Sequence, residues 1–318
     1  MSTVPQPSIG VLVMAYGTPA SPEQIERYYT HIRHGRKPTP ELLAELQGRY
    51  QAIGGISPLM HHTHTQVRGI QAALDTLAPG RYRTSLGMKH AAPFLEESAL
   101  ALAQSGVKQI IGLVLAPHYS SMSVGEYMQR ARTAIPAEIP FTAVESWHRA
   151  PGYLEYLTEQ VKQAKEHQLR ESGIAEERLE VLFTAHSLPM RILAQGDPYP
   201  TQLQETAQAV ATAAQLQHWS IAWQSAGRTA DPWIGPSILD VLPELAAQGV
   251  QGVLVCPAGF VSDHLEVLYD LDIETIQLAQ SLQLAFARTA LPNNDARVFA
   301  TLADLIQDHV AAQDMAHA

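Results

Sequence analysis

The feature that most constrains this chain is that it carries two versions of one pattern. VLVMAYGTP (11–19) and VLFTAHSLP (181–189) align without a gap and share Val, Leu, Ala and Pro at matching places. PFLEESALALAQSGV (93–107) and PSILDVLPELAAQGV (236–250) do the same, and each leads into an apolar run ending in proline, IIGLVLAP and GVLVCP. A single match would mean little, because short apolar segments resemble one another by chance. Two matches in the same order, each followed by the same kind of element, indicate two copies of one fold.

Within each copy, strand-like and helix-like stretches alternate. Short Val/Ile/Leu-rich runs at 9–15, 83–87, 109–116, 180–185, 219–223 and 251–257 read as strands covered on both faces. Longer stretches at 22–33, 39–51, 58–77, 93–105, 152–170, 199–215, 236–248, 264–280 and 296–312 read as helices. This alternation predicts an α/β fold of two Rossmann-like halves, each a parallel sheet flanked by helices. The length of 318 residues suits two domains, 1–149 and 150–318, divided near SWHRAPGY, with the C-terminal helix free to pack back on the first. In open α/β sheets ligands bind beyond the carboxyl ends of the strands. Tyr16 and His186 hold equivalent places just past the first strand of each copy, and Tyr119 and Phe260 follow the later strands in the same way. All four are expected to line an interdomain cleft.

Composition narrows the function. A formal net charge of −10 argues against a general nucleic-acid binder, which would present a basic face. The longest uncharged apolar runs are far too short to span a bilayer, and the first residues lack the basic and apolar regions of a signal peptide. The single cysteine, Cys256, excludes an internal disulfide and cannot alone hold an iron–sulfur cluster. The expectation is a soluble, cytoplasmic protein with no stable membrane insertion.

Several residues could carry chemistry. His186, at a strand-to-loop transition, either satisfies backbone at a turn or binds a transition metal and takes up protons near neutral pH. In DHLEVLYDLDIETIQ (263–277), Glu266, Asp270 and Glu274 recur every four residues and stack along one helix face, where like charges repel. A regular α-helix would let that row drift by about 40° per step, and a π-type turn would straighten it. Either the column is a solvated face or a cation passes along it; Glu266, flanked by Leu265, Val267 and Leu268, is the member nearest the strand end. Asp263 and Asp272 read as solvated.

HIRHGRKP (31–38) concentrates Arg33, Arg36 and Lys37, with Arg49 shortly after, as a solvated loop or a site for a polyanionic ligand. His61, His62 and His64 in MHHTH lack a neighbouring acid or cysteine to complete a metal shell and read as surface or packing histidines. Tyr199 and Trp233, in turn-rich GDPYPTQ and SAGRTADPWIGP, are placed to wall a flat apolar pocket. Neither a glycine-rich phosphate loop nor a nucleophile elbow is present.

Together, LVMAYGTP, RYYTHIRHGRKP, RYQAIGGISPL, VLAPHYS, VESWH, TAHSLP, GDPYP, WQS, DPWIGP and GFVSDHLEVLYDLDIE resemble the ferrochelatases, in register from about residue 9 to about 292. They are most similar to the monomeric coproporphyrin ferrochelatases of Gram-positive and related bacteria. The resemblance implies a chelatase-like fold and insertion of Fe²⁺ into coproporphyrin III in haem biosynthesis, giving coproheme and two protons. It implies a catalytic, metal-proximal His186 with Glu266 across from it, and Tyr16 as axial ligand to the product iron. A tyrosine at that place is the reason for choosing coproporphyrin over protoporphyrin. Arg33, Arg49, Tyr50, Ser57 and Tyr127 match positions that contact the porphyrin or its propionates. Asp270 and Glu274 match an outer metal site, which leaves open Mg²⁺ or another divalent ion there. Transient contact with other haem-pathway enzymes and a monomeric state are further implications. His34 replaces an arginine common in the family, and Ala226 and Arg228 alter a loop often written with Glu and Asn. The alternatives are a protoporphyrin ferrochelatase or related chelatase, and a non-catalytic porphyrin carrier.

Overall fold

The computed structural model describes residues 7–227, 229 and 231–316; Arg228 lies outside them. Strands β1 (Ile9–Ala15), β2 (Tyr82–Met88), β3 (Gln109–Val114) and β4 (Phe141–Val144) form one sheet in the order β2-β1-β3-β4. Strands β5 (Leu179–His186), β6 (Trp219–Gln224), β7 (Gly252–Cys256) and β8 (Ala285–Arg288) form a second in the order β6-β5-β7-β8. Every pairing is parallel. The two orders are the same with four added to each number, which is the internal repeat expressed as topology. It extends to fastenings: Met88 N–H donates to Pro93 O at 2.8 Å, and Trp223 N–H to Pro236 O at 2.9 Å.

The strands form where expected because they are covered on both faces. All seven residues of β1 and all five of β7 are buried, so no polar alternation is needed or seen. β4 and β8 were not expected from the sequence. They are four-residue edge strands, and every residue of β8 is half-buried, so neither offers a run long enough to stand out as a buried strand. One helical stretch was not expected, and the helix carrying the acidic column has the widened turns that would straighten it. Ser121–Gly125 and Glu126–Ala134 form a helical stretch after β3, and the helix expected over 264–280 has widened, π-type turns over Val267–Thr275 before continuing as Ile276–Ser281. Both widened stretches follow the third strand of their sheet.

The chain divides into two compact units, one comprising Met1–Ala116, Ser121–Trp147 and Asn293–Ala318, the other Pro117–Ser120 and His148–Pro292. In the first, helices Pro40–Ala52, Leu59–Leu77 and Leu95–Gln104 accompany the sheet, and the C-terminal helix Ala296–Ala316 packs on Leu59–Leu77. Gly69 makes that approach close: a Cβ there would lie 2.1 Å from Cδ2 of Phe299. In the second, Pro151–Ser172, Tyr199–Ala213 and Ile238–Ala247 flank the sheet. Leu182, Ala222, Val253 and Val255 join Val241, Leu242, Val267 and Leu271 in one apolar cluster, which ties the widened helix to the strands. Among the described residues, no helix is long and apolar enough to cross a membrane.

Candidate active site

In the second unit the site begins where β5 ends. His186 is its last residue and is half-buried. The loop after β7 comes close beside it because Gly259 lacks a side chain: its N–H donates to Thr184 O at 2.9 Å, and a Cβ would lie 2.4 Å from that of Ala185. The His186 ring is held by its Nδ1, which donates to the carbonyl of Ser187. Tyr199 donates its hydroxyl to the His186 carbonyl at 3.0 Å, and the Trp233 ring lies 6.4 Å away, centroid to centroid.

With Nδ1 occupied, Nε2 of His186 faces outward, 3.5 Å from Oε1 of Glu266. His264 repeats the arrangement. Its Nδ1 donates to Ser262 O at 2.9 Å, and its Nε2 stands 3.4 Å from Oε2 of Glu266. One carboxylate thus receives two imidazoles, each held in orientation by a backbone carbonyl. Burial alone would lower the His186 pKa, but the charge and hydrogen bonding of Glu266 outweigh it and raise it above the ordinary value. Burial alone would raise Glu266, but His186 and then His264 hold it well below the usual carboxylate range. The separations of 3.4–3.5 Å are longer than charge-assisted hydrogen bonds, leaving room for a proton or cation among these groups.

The remaining acids of this segment have separate partners. Asp270 is buried and accepts a hydrogen bond from Ser225 Oγ. Thr275, fully buried, donates its hydroxyl to the Asp270 carbonyl at 2.6 Å, satisfying an oxygen in the widened ladder. Glu274 is half-buried on the same helix. Asp263 and Asp272 are not solvated as expected: both bind Arg288, with Nη2 to Asp263 Oδ1 at 3.0 Å and Nε to Asp272 Oδ1 at 2.6 Å. Their partner is remote in sequence, which hid the pairing. Among the described residues no group of three or more His, Cys, Asp and Glu is preassembled as a metal shell.

In the first unit Tyr16 follows β1 and is 42% exposed. Its ring lies 4.7 Å from that of His90, whose Nδ1 is 3.0 Å from Nδ1 of His31. Burial first, then the positive charge of Lys89, brings the His90 pKa down to about 3, so its imidazole is neutral. Tyr127 is buried, and burial, with Tyr16 and Glu126 beside it, keeps its phenol protonated. Tyr50 is buried with its hydroxyl 3.2 Å from Thr18 Oγ1. Ser57 Oγ accepts from Leu59 N at 3.2 Å, which leaves its own proton to donate. Arg49 pairs with Glu45 at 3.5 Å. Arg33 Nε is buried with no hydrogen-bond partner among the described residues, a donor suited to an anion. His34 adopts a left-handed conformation, φ 54°, past the helix Ile25–Ile32.

His186, Glu266 and Asp270 therefore gather in the second unit, and Tyr16 and Tyr127 stand together in the first. His264 was not singled out from the sequence; its value lies in a turn geometry, Nδ1 on Ser262 O, that spacing does not signal. His62 is 3.5 Å from Asn294, and His61 stacks edgewise on His62, in keeping with a packing role.

The sequence profile of the family described as ferrochelatase matches residues 8–310. A coproporphyrin III ferrochelatase of Anoxybacillus flavithermus is 43% identical over 306 residues, 95% of this chain and 96% of its own. One from Geobacillus thermodenitrificans is 40% identical over 98% of each chain. Among solved structures, SirB from Bacillus subtilis with Fe³⁺ matches with a TM-score of 0.52 at 12% identity, covering 96% of this chain and 97% of that one, a likeness of fold.

Proposed function

The chain belongs to the ferrochelatase family, and from that premise we propose that His186, Glu266 and His264 carry the insertion of Fe²⁺ into coproporphyrin III. The observation that carries the reading is the Glu266 carboxylate standing between two imidazole Nε2 atoms, at 3.5 and 3.4 Å. Insertion replaces two pyrrole N–H bonds with iron–nitrogen bonds, so the free porphyrin and Fe²⁺ become coproheme and two protons. A site for this step needs acceptors for both protons and negative charge to offset a partly dehydrated cation. His186 supplies an Nε2 lone pair, His264 a second, and Glu266 the charge. His186→Ala, described below, tests the first of these roles.

The N–H protons obstruct a flat macrocycle, so the substrate is bound bent, exposing nitrogen lone pairs to the metal. That strain, about 1–5 kcal/mol, is drawn from contacts remote from the reacting nitrogens. Arg33, Arg49, Tyr50, Ser57 and Tyr127 supply those contacts to propionates and ring. Arg33 Nε, without a hydrogen-bond partner among the described residues, supports an anion there. Tyr16 is the axial ligand of the product iron. Asp270 and Glu274 would supply the carboxylates for a hydrated Mg²⁺ or other divalent ion at an outer site. The protein acts as a cytoplasmic monomer that meets other haem-pathway enzymes transiently, and it carries no iron–sulfur cluster.

The deciding experiment supplies Fe²⁺ anaerobically with coproporphyrin III or protoporphyrin IX and follows the Soret band. Faster metallation of coproporphyrin III is expected. Preference for protoporphyrin IX would overturn the substrate assignment, and binding of either without metallation would favour a carrier.

A further inference from the structure

We propose that Arg288 is a positioning residue for metal insertion, a strut from the sheet that fixes where His264 and Glu266 stand. This deepens the function proposed above and rests on it. Arg288 ends β8, its backbone in register with Val255 of β7, and Thr289 N–H continues the ladder to Val255 O at 2.9 Å. From that anchored position the guanidinium reaches the segment after β7. Nε and Nη2 grip both oxygens of Asp272 at 2.6 and 2.8 Å, Nη2 also donates to Asp263 Oδ1 at 3.0 Å, and Nη1 donates to Thr289 O at 3.2 Å.

The two carboxylates lie at telling places. Asp263 immediately precedes His264 and comes three residues before Glu266, while Asp272 sits within the widened turns Val267–Thr275. One cation therefore ties the entry of the helix to its far turn, across the stretch that carries both reactive groups. Widened turns are rare and persist where the surroundings over-determine them. On the other side, Gln224 Nε2 reaches the Glu266 carbonyl at 3.5 Å and Ser225 holds Asp270, but neither touches the segment before His264.

Stability alone does not explain the cluster. The Arg288 side chain is 16% exposed and those of Asp263 and Asp272 are 21% and 30% exposed. Neutral or apolar replacements of such partly buried ion pairs are often as stable as the charges they replace. What neutral side chains do not reproduce is a fork that fixes two points of a backbone at once.

The test compares the unmodified chain with Arg288→Lys and with the neutral triple variant Asp263→Asn/Asp272→Asn/Arg288→Met, assayed for Fe²⁺ insertion into coproporphyrin III. The triple variant should keep its circular dichroism and Tm yet lose about 10- to 100-fold in kcat, because the reacting groups shift by a fraction of an ångström to an ångström. Porphyrin KM should stay within about twofold, since the contacts that bind the substrate are elsewhere. Arg288→Lys, which keeps the charge and loses the fork, should fall between them. Unmodified kcat in either folded variant, or a porphyrin KM that rises in step with the loss, would overturn the positioning role. An unmodified chain that inserts no metal would instead overturn the proposed function.

Discussion

At the residue scale, the site is a problem of shared protons. Two imidazoles and one carboxylate are drawn together, and each changes what the others can hold: Glu266 raises His186, and the two histidines lower Glu266. Removing one member therefore alters the rest. His186→Ala should lower kcat for iron insertion by about 10²–10⁴-fold, the usual range for loss of a positioned proton acceptor, with porphyrin still bound as judged by fluorescence quenching. Turnover at the unmodified rate would remove His186 from the reaction. Tyr16 makes a different prediction. Tyr16 lies just beyond the end of β1 and is 42% exposed, and Tyr16→Met should move the absorption bands of bound coproheme. Superimposable spectra of the two complexes would take away its role as ligand.

At the scale of elements, the widened helix and the packed helix pair show what the sequence could and could not reveal. β1 and β7 were legible because residues buried on both faces must be apolar, whatever their partners. β8 was not legible, because a half-covered edge strand of four residues carries no such signature. A π-type turn was one way to straighten the four-residue column of acids, and Glu266 was set apart from Asp270 and Glu274, but the pairing of Asp263 and Asp272 with Arg288 was not foreseen. Asp272 looks solvated until Arg288, 16 residues on, is folded against it. His264 likewise becomes a reactive candidate only through the turn that gives its Nδ1 to Ser262. Helix packing yields a prediction of its own. At Gly69 a methyl group would stand 2.1–2.3 Å from ring carbons of Phe299 on the C-terminal helix, so Gly69→Ala should destabilise the protein by about 1–3 kcal/mol in urea unfolding. Adding Phe299→Leu should restore part of that loss; equal midpoints for Gly69→Ala and the unmodified protein would mean the two helices are free to separate there.

At the scale of the whole molecule, each unit keeps a histidine neutral in its interior, and this makes acid a common weakness. His118, after β3, is 2% exposed; burial and then His148 bring its pKa down to about 3. His90 in the first unit is also down to about 3. An unfolded chain protonates a histidine near pH 6.5, so between pH 6.5 and about 3 the unfolded state binds protons that the folded state refuses. Unfolding is then favoured as pH falls, by about 1.4 kcal/mol per pH unit for each such histidine. Glu266, whose folded pKa is depressed, adds its own loss at lower pH, as acid approaches the ordinary carboxylate range. His186 works the other way, since its raised pKa favours the fold as pH drops through that value. The two buried neutral histidines outweigh that single gain at pH 5, where each costs about 2 kcal/mol relative to pH 7. His118 Nε2 lies 2.9 Å from Thr206 Oγ1, a contact that a glutamine amide can reproduce without a titrating ring. His118→Gln should therefore leave stability at pH 7.5 nearly unchanged and make the decline between pH 6.5 and 5 shallower by about 1 kcal/mol per unit, read from urea midpoints across that range. Parallel declines in the two proteins would show that His118 takes up its proton in the folded state, with room for the charge that its burial denies.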